Sequence, residues 1–124
     1  MKLMAALLAA LVLAPVAGAK DGVHATLTTP LPAYAAAGTK LMVTFVLRDA
    51  TGHPFNAEHV FVKVICPTKD ATSVAFASRM AHPTGRYRVV ATMPPGGLGT
   101  IRIGLRGWNT TGNTADVYFP VTKH

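Results

Sequence analysis

Three histidines far apart in the chain, His24, His53 and His82, carry the side chains best suited to chemistry. Neutral imidazoles donate to copper or zinc, and Met80, two residues before His82, offers a soft thioether that suits Cu(I). No two of the five histidines stand at a local metal-ligand spacing, so a site requires the fold to gather them. Catalysis has less to draw on. The five carboxylates, Asp21, Asp49, Glu58, Asp70 and Asp116, are dispersed, and Asp49 and Asp70 read as turn residues bonding nearby amides. Ser73 and Ser78 lack the flanking glycines of a nucleophile elbow. Gly96-Gly97-Leu98-Gly99 is followed by no helix start that could receive a phosphate. The expectation is therefore a non-enzyme without cofactor, with a copper or zinc site at His24, His53 and His82 as the alternative.

Any such gathering depends on the elements that carry these residues. Leu41, Val43, Phe45 and Leu47 alternate with Met42, Thr44, Val46 and Arg48, the period of a strand with one face in a core. The alternation returns in Val60, Val62, Val64 and Cys66, then in Tyr87, Val89 and Ala91 against Arg86, Arg88 and Val90. It returns again in Ile103 and Leu105 against Arg102 and Arg106, and in Ala115, Val117, Phe119 and Val121. Two less regular runs, 23–28 and 72–80, bring the number to seven strands. Gly and Pro punctuate the gaps, as in Asp49-Ala50-Thr51-Gly52-His53-Pro54, Ala81-His82-Pro83-Thr84-Gly85 and Asn109-Thr110-Thr111-Gly112-Asn113. No internal repeat is evident. Ala35-Ala36-Ala37, between Pro32 and Gly38, reads as loop. This spacing predicts an all-β sandwich with no room for crossover helices.

In a seven-stranded sandwich the loops after the second, fourth and sixth strands meet at one pole, where the first strand also begins. His53, His82, Trp108, Asn109 and Asn113 belong to that pole, and loops held by a rigid sandwich are where contacts concentrate. Trp108 points opposite to Ile103 and Leu105, available as an anchor for a ligand or partner. His59 precedes the third strand on the face opposite Val60 and belongs to no site. Arg86 and Arg88 face outward on the fifth strand, Arg102 and Arg106 on the sixth. Those strands fall in opposite sheets, so the four arginines form no single patch.

The chain opens with Lys2, an apolar run over residues 3–16 and Ala17-Gly18-Ala19, the pattern of a secretory signal peptide cleaved before Lys20. The run is too short to span a bilayer, so no stable membrane anchor is expected after cleavage. The expected organisation is a signal peptide at 1–19 and one domain at 20–124, periplasmic or secreted. Twelve basic residues against five acidic ones give +7, or +6 once Lys2 leaves. The basic residues are scattered with few aromatics between them, which argues against nucleic acid and leaves an envelope or extracellular protein or glycan as partner. The single cysteine, Cys66, precludes an internal disulfide and is expected in the core.

Residues 49–121 carry Asp49-x-x-Gly52-x-Pro54, then Gly85-Arg86-Tyr87 opening a strand, a Pro-Gly turn, and Gly112-Asn113-Thr114 before the last strand. This stretch resembles bacterial immunoglobulin-like and filamin-like domains and is similar to small exported YtkA-like domains. The resemblance implies a seven-stranded antiparallel immunoglobulin-like β-sandwich after the signal peptide, with the Tyr87 ring seated over one end of the core. By analogy of fold it also implies a module that binds, spaces or scaffolds.

Overall fold

The computed structural model describes residues 22–68, 70–78 and 84–122. Residues 1–19, expected to be a signal peptide, and Lys20, Met80 and His82 lie outside the described residues. Eight strands and no helix occur among those described: β1 His24–Leu27, β2 Lys40–Arg48, β3 Val60–Ile65, β4 Thr72–Phe76, β5 Arg86–Thr92, β6 Thr100–Trp108, β7 Thr114–Phe119 and β8 Val121–Thr122. They form two four-stranded sheets, in the orders β5-β2-β1-β8 and β4-β3-β6-β7. Residues 35–37 are loop, with Gly38 N–H donating to the Met93 carbonyl at 3.0 Å.

The period-two pattern decides which side chains enter the space between the sheets. On β5 it is strict: Tyr87, Val89 and Ala91 are buried while Arg86, Arg88, Val90 and Thr92 are exposed. Val43, Phe45 and Leu47 from the first sheet meet Val60, Val62, Val64, Ile103 and Phe119 from the second in one core. Cys66 is buried beside them, its Sγ accepting from the Thr68 N–H at 3.4 Å. Val62 and Ile103 are cross-strand partners and both are fully buried. Ile103→Ala is therefore expected to cost about 2–4 kcal/mol through lost burial and the cavity left behind. Arg88→Ala, on the outer face, should cost about 0.5 kcal/mol or less. Urea denaturation midpoints check the order of the two.

The end of the chain departs from the expected seven antiparallel strands. The run 115–121 is two strands, because Pro120 has no N–H to donate and the ladder stops there. The Pro120 carbonyl instead accepts from the Ala25 N–H at 2.9 Å, and β8 runs parallel to β1 in the other sheet, Ala25 opposite Val121. The chain thus changes sheets at one proline. Ala115, expected inward, is exposed, since β7 begins out beside the hairpin where Thr114 pairs with Trp108.

Tyr87 closes the pole end of the core as expected. Its ring stacks on Phe45 with centroids 5.4 Å apart and planes 14° from parallel. The hydroxyl donates to the Phe55 carbonyl at 2.8 Å and accepts from the Ala57 N–H at 2.9 Å, tying β5 to the connection between β2 and β3. Burial raises its pKa above the ordinary phenol value.

Candidate functional site

The β2–β3 and β6–β7 connections are two copies of one device. Asp49 Oδ1 accepts from the Thr51 N–H at 2.9 Å, the Thr51 hydroxyl at 2.7 Å and the His53 N–H at 3.0 Å. Asn109 Oδ1 accepts from the Thr111 N–H at 3.0 Å, the Thr111 hydroxyl at 2.8 Å and the Asn113 N–H at 2.9 Å. In both, the glycine stands at φ 88° and donates back to the carbonyl of the Asp or Asn, at 3.0 Å from Gly52 and 3.1 Å from Gly112. The shared pattern is Asp/Asn-x-Thr-Gly, a local repeat not anticipated from the sequence. An acceptor oxygen that closes its own turn makes the loop stiff without help from its surroundings. These bonds, the Thr51 hydroxyl first, hold the Asp49 carboxyl below its ordinary pKa.

The expected site residues are placed as follows. His53 stands at the loop tip with its side chain 76% exposed, and its Nδ1 is 2.6 Å from the Thr51 hydroxyl oxygen. His24 is exposed on β1, opposite Arg48. His82 is outside the described residues. Among the described residues, no three His, Cys, Asp or Glu side chains lie close enough together to hold a metal ion. Asn109 Oδ1 and the Asn113 amide, which donates to Thr111 at 3.3 Å, turn toward their own loop. Trp108 does not turn inward: it is 46% exposed, as its place in the alternation requires.

What Trp108 joins is the outer face of the sheet β4-β3-β6-β7. Its ring meets that of His59 edge to face, centroids 4.6 Å apart. His59, set aside in the sequence, takes a left-handed backbone at φ 64°, and its carbonyl accepts from the Arg106 N–H at 3.1 Å. That region is uncommon for a residue with a Cβ and carries a backbone cost, though His enters it more readily than most. One row further along, Phe76, Phe61, Gly104 and Tyr118 lie side by side across the four strands. Phe61 is fully buried although it faces away from the core. The rings of Phe76 and Tyr118, each 5.8 Å away, flank it edge to face, and Gly104 leaves room where a Cβ would come within 2.8 Å of it.

Guanidinium groups complete this surface. Arg106 lies 5.3 Å from the ring centres of both Phe61 and Phe76. It is held there by a two-pronged pair with Asp116, Nε to Oδ1 at 2.8 Å and Nη2 to Oδ2 at 3.1 Å. That pair lowers the Asp116 pKa and raises that of Arg106. The stabilisation it brings is present above the carboxylate's unfolded pKa and is lost as pH falls through the lowered one. Arg102 covers Tyr118 at 3.9 Å. Together the residues form a raised aromatic and cationic platform, with Phe76 44% exposed at one edge and Trp108 beside the pole. Such a surface offers apolar area and cation–π contact.

Sequence reasoning located Trp108 and the outward arginines but passed over His59, Phe61, Phe76, Gly104 and Tyr118. Their signal was present in the same alternation, which places Phe61, Phe76 and Tyr118 on the faces opposite Val62, Ala75 and Phe119. No family model matches the chain, and no curated protein and no solved structure is significantly similar to it.

Proposed function

We propose that this chain is an exported, non-catalytic binding module of immunoglobulin-like type, resident in the periplasm or outside the cell. It contacts an envelope or extracellular protein through the platform of Phe76, Arg106 and Trp108 together with His53 of the β2–β3 loop. One observation carries this reading: half-exposed Phe76 stands on a base already packed and charge-paired, Phe61 and Arg106, and half-exposed Trp108 stands against the His59 ring. Tryptophan and arginine dominate the energetics of protein contacts, and a preformed base spares the entropy of ordering them on binding. The self-closed β6–β7 loop, which follows Trp108 directly, contributes stiffness of the same kind.

Site-specific photo-crosslinking in the native host tests it. A crosslinker at position 108 or 76 is expected to give a discrete protein adduct, whereas one at Val90, exposed on the opposite sheet, should give none. Trp108→Ala should then weaken binding of the captured partner at least about tenfold. Adducts carrying only carbohydrate would replace the protein by a glycan, and equal adducts from position 90 would overturn the reading.

A further inference from the structure

The opposite outer face has a different character. None of the four strands β5, β2, β1 and β8 contains an Asp or Glu, while Lys40, Arg48, Arg86 and Arg88 all point outward from them. The second sheet carries Asp116 to answer Arg106, but the first has no such answer: among the described residues no carboxylate pairs with Arg86 or Arg88. A groove of about 480 Å³ lies beside these two arginines, lined also by Thr28, Thr44 and Ser78 and, toward the core, by Phe45 and Tyr87. The register explains the gathering. Arg88 is the cross-strand partner of Thr44, Arg86 that of Val46, and the Thr28 N–H donates to the Thr44 carbonyl at 3.0 Å.

The geometry points to a binding site for a tetrahedral oxyanion, a phosphate or sulfate group, held between Arg86 and Arg88. Alternate residues of one strand stand about 6.7 Å apart on the same face, so two guanidinium forks can grip one anion from both sides. Each fork presents paired N–H donors that match adjacent oxygens of such a group. The hydroxyls fit the same ligand. Thr28 donates to Thr44 Oγ1 at 2.7 Å, which leaves the Thr44 hydrogen for Thr29, 3.1 Å away, or for an oxygen arriving in the groove. Among the described residues no carboxylate lines the groove, so none of them repels an anion there.

Amide chemical shifts of the purified protein, followed during titration with inorganic sulfate or phosphate at constant ionic strength, test the site. Saturable shifts confined to Thr28, Thr44, Arg86, Arg88 and their neighbours are expected. The double variant Arg86→Gln/Arg88→Gln should weaken binding at least tenfold, and Thr44→Val should weaken it severalfold without removing charge. Arg102→Gln, on the other sheet, should leave it unchanged. Parallel titrations separate the sources of the group: tighter binding of a sulfated oligosaccharide places it on a glycan, tighter binding of phosphatidylglycerol vesicles places it on a lipid, and neither leaves a free anion. Equal shifts with chloride, or equal weakening in Arg102→Gln, would overturn the proposal. A matching urea midpoint for the double variant keeps a loss of fold from being read as a loss of the site.

Discussion

Phe61→Ala is expected to lower the free energy of unfolding by about 3–4 kcal/mol, a core-sized loss from a residue that faces away from the core. The ring is fully buried, with Phe76 and Tyr118 edge-on to it and the Arg106 guanidinium over it. Removing it leaves a hole that Gly104 cannot fill, since that residue contributes no side chain at the row's next position. The surrounding groups also lose part of their seat: Arg106 keeps Asp116 and the Phe76 ring but loses the second ring beneath it. Phe61→Leu should recover more than half of the loss, because it restores volume without the aromatic face. Urea denaturation monitored by Trp108 fluorescence measures both, and the tryptophan reports directly on the platform. An ordinary outward residue would cost about 0.5 kcal/mol or less, so a value near that for Phe61→Ala would mean the second, outer cluster contributes nothing.

Gly85→Ala is expected to cost about 3 kcal/mol, from one added methyl group. Gly85 sits at φ 73°, where an L-residue pays about 1–2 kcal/mol for the crowding of its Cβ. The new Cβ would also lie 2.7 Å from the Leu47 carbonyl oxygen and 3.0 Å from the Pro54 Cβ. That oxygen cannot retreat freely, being engaged by the Phe55 N–H at 2.9 Å. Gly85 is itself pinned: its N–H donates to Asn56 Oδ1 at 2.7 Å and its carbonyl accepts from the Leu47 N–H at 2.8 Å. The overlap therefore adds a packing penalty to the backbone one. Gly52 and Gly112 separate the two contributions. Both have φ 88°, but nothing lies within 4 Å of an added Cβ, so Ala there should cost about 1–2 kcal/mol. Denaturation midpoints of the three variants give the comparison, and a Gly85→Ala loss no larger than the others would show that the pole yields to the clash. Because Tyr87 follows two residues later and ties Phe55 and Ala57, disturbance at Gly85 reaches the whole β2–β3 connection.

Much of this architecture is local in origin and was legible as such. Alternation alone places Val43, Val62, Val89 and Ile103 inside and Arg86, Arg88, Arg102 and Arg106 outside, because a strand sends successive side chains to opposite faces whatever it pairs with. Turn chemistry is local too: Asp49 bonds residues two and four positions on, so its role could be read from its neighbours. Trp108 was placed outward by the same rule. The rest depends on which strand lies beside which. That Phe61 is buried follows from its register against Phe76 and Gly104, residues fifteen and forty-three positions away, and an outward aromatic in one strand does not reveal its cover. His59 takes its left-handed turn, and its contact with Trp108, only where the approach to β3 meets the end of β6. The passage of the last strand from one sheet to the other needs Pro120 to break one ladder and β1 to offer another. The sequence by itself determined the faces of the strands and the closure of the turns, whose partners lie a few residues apart. Only the tertiary structure decided the rows across the sheets, and with them the platform and the arginine groove, because register is set by pairing between segments far apart in the chain.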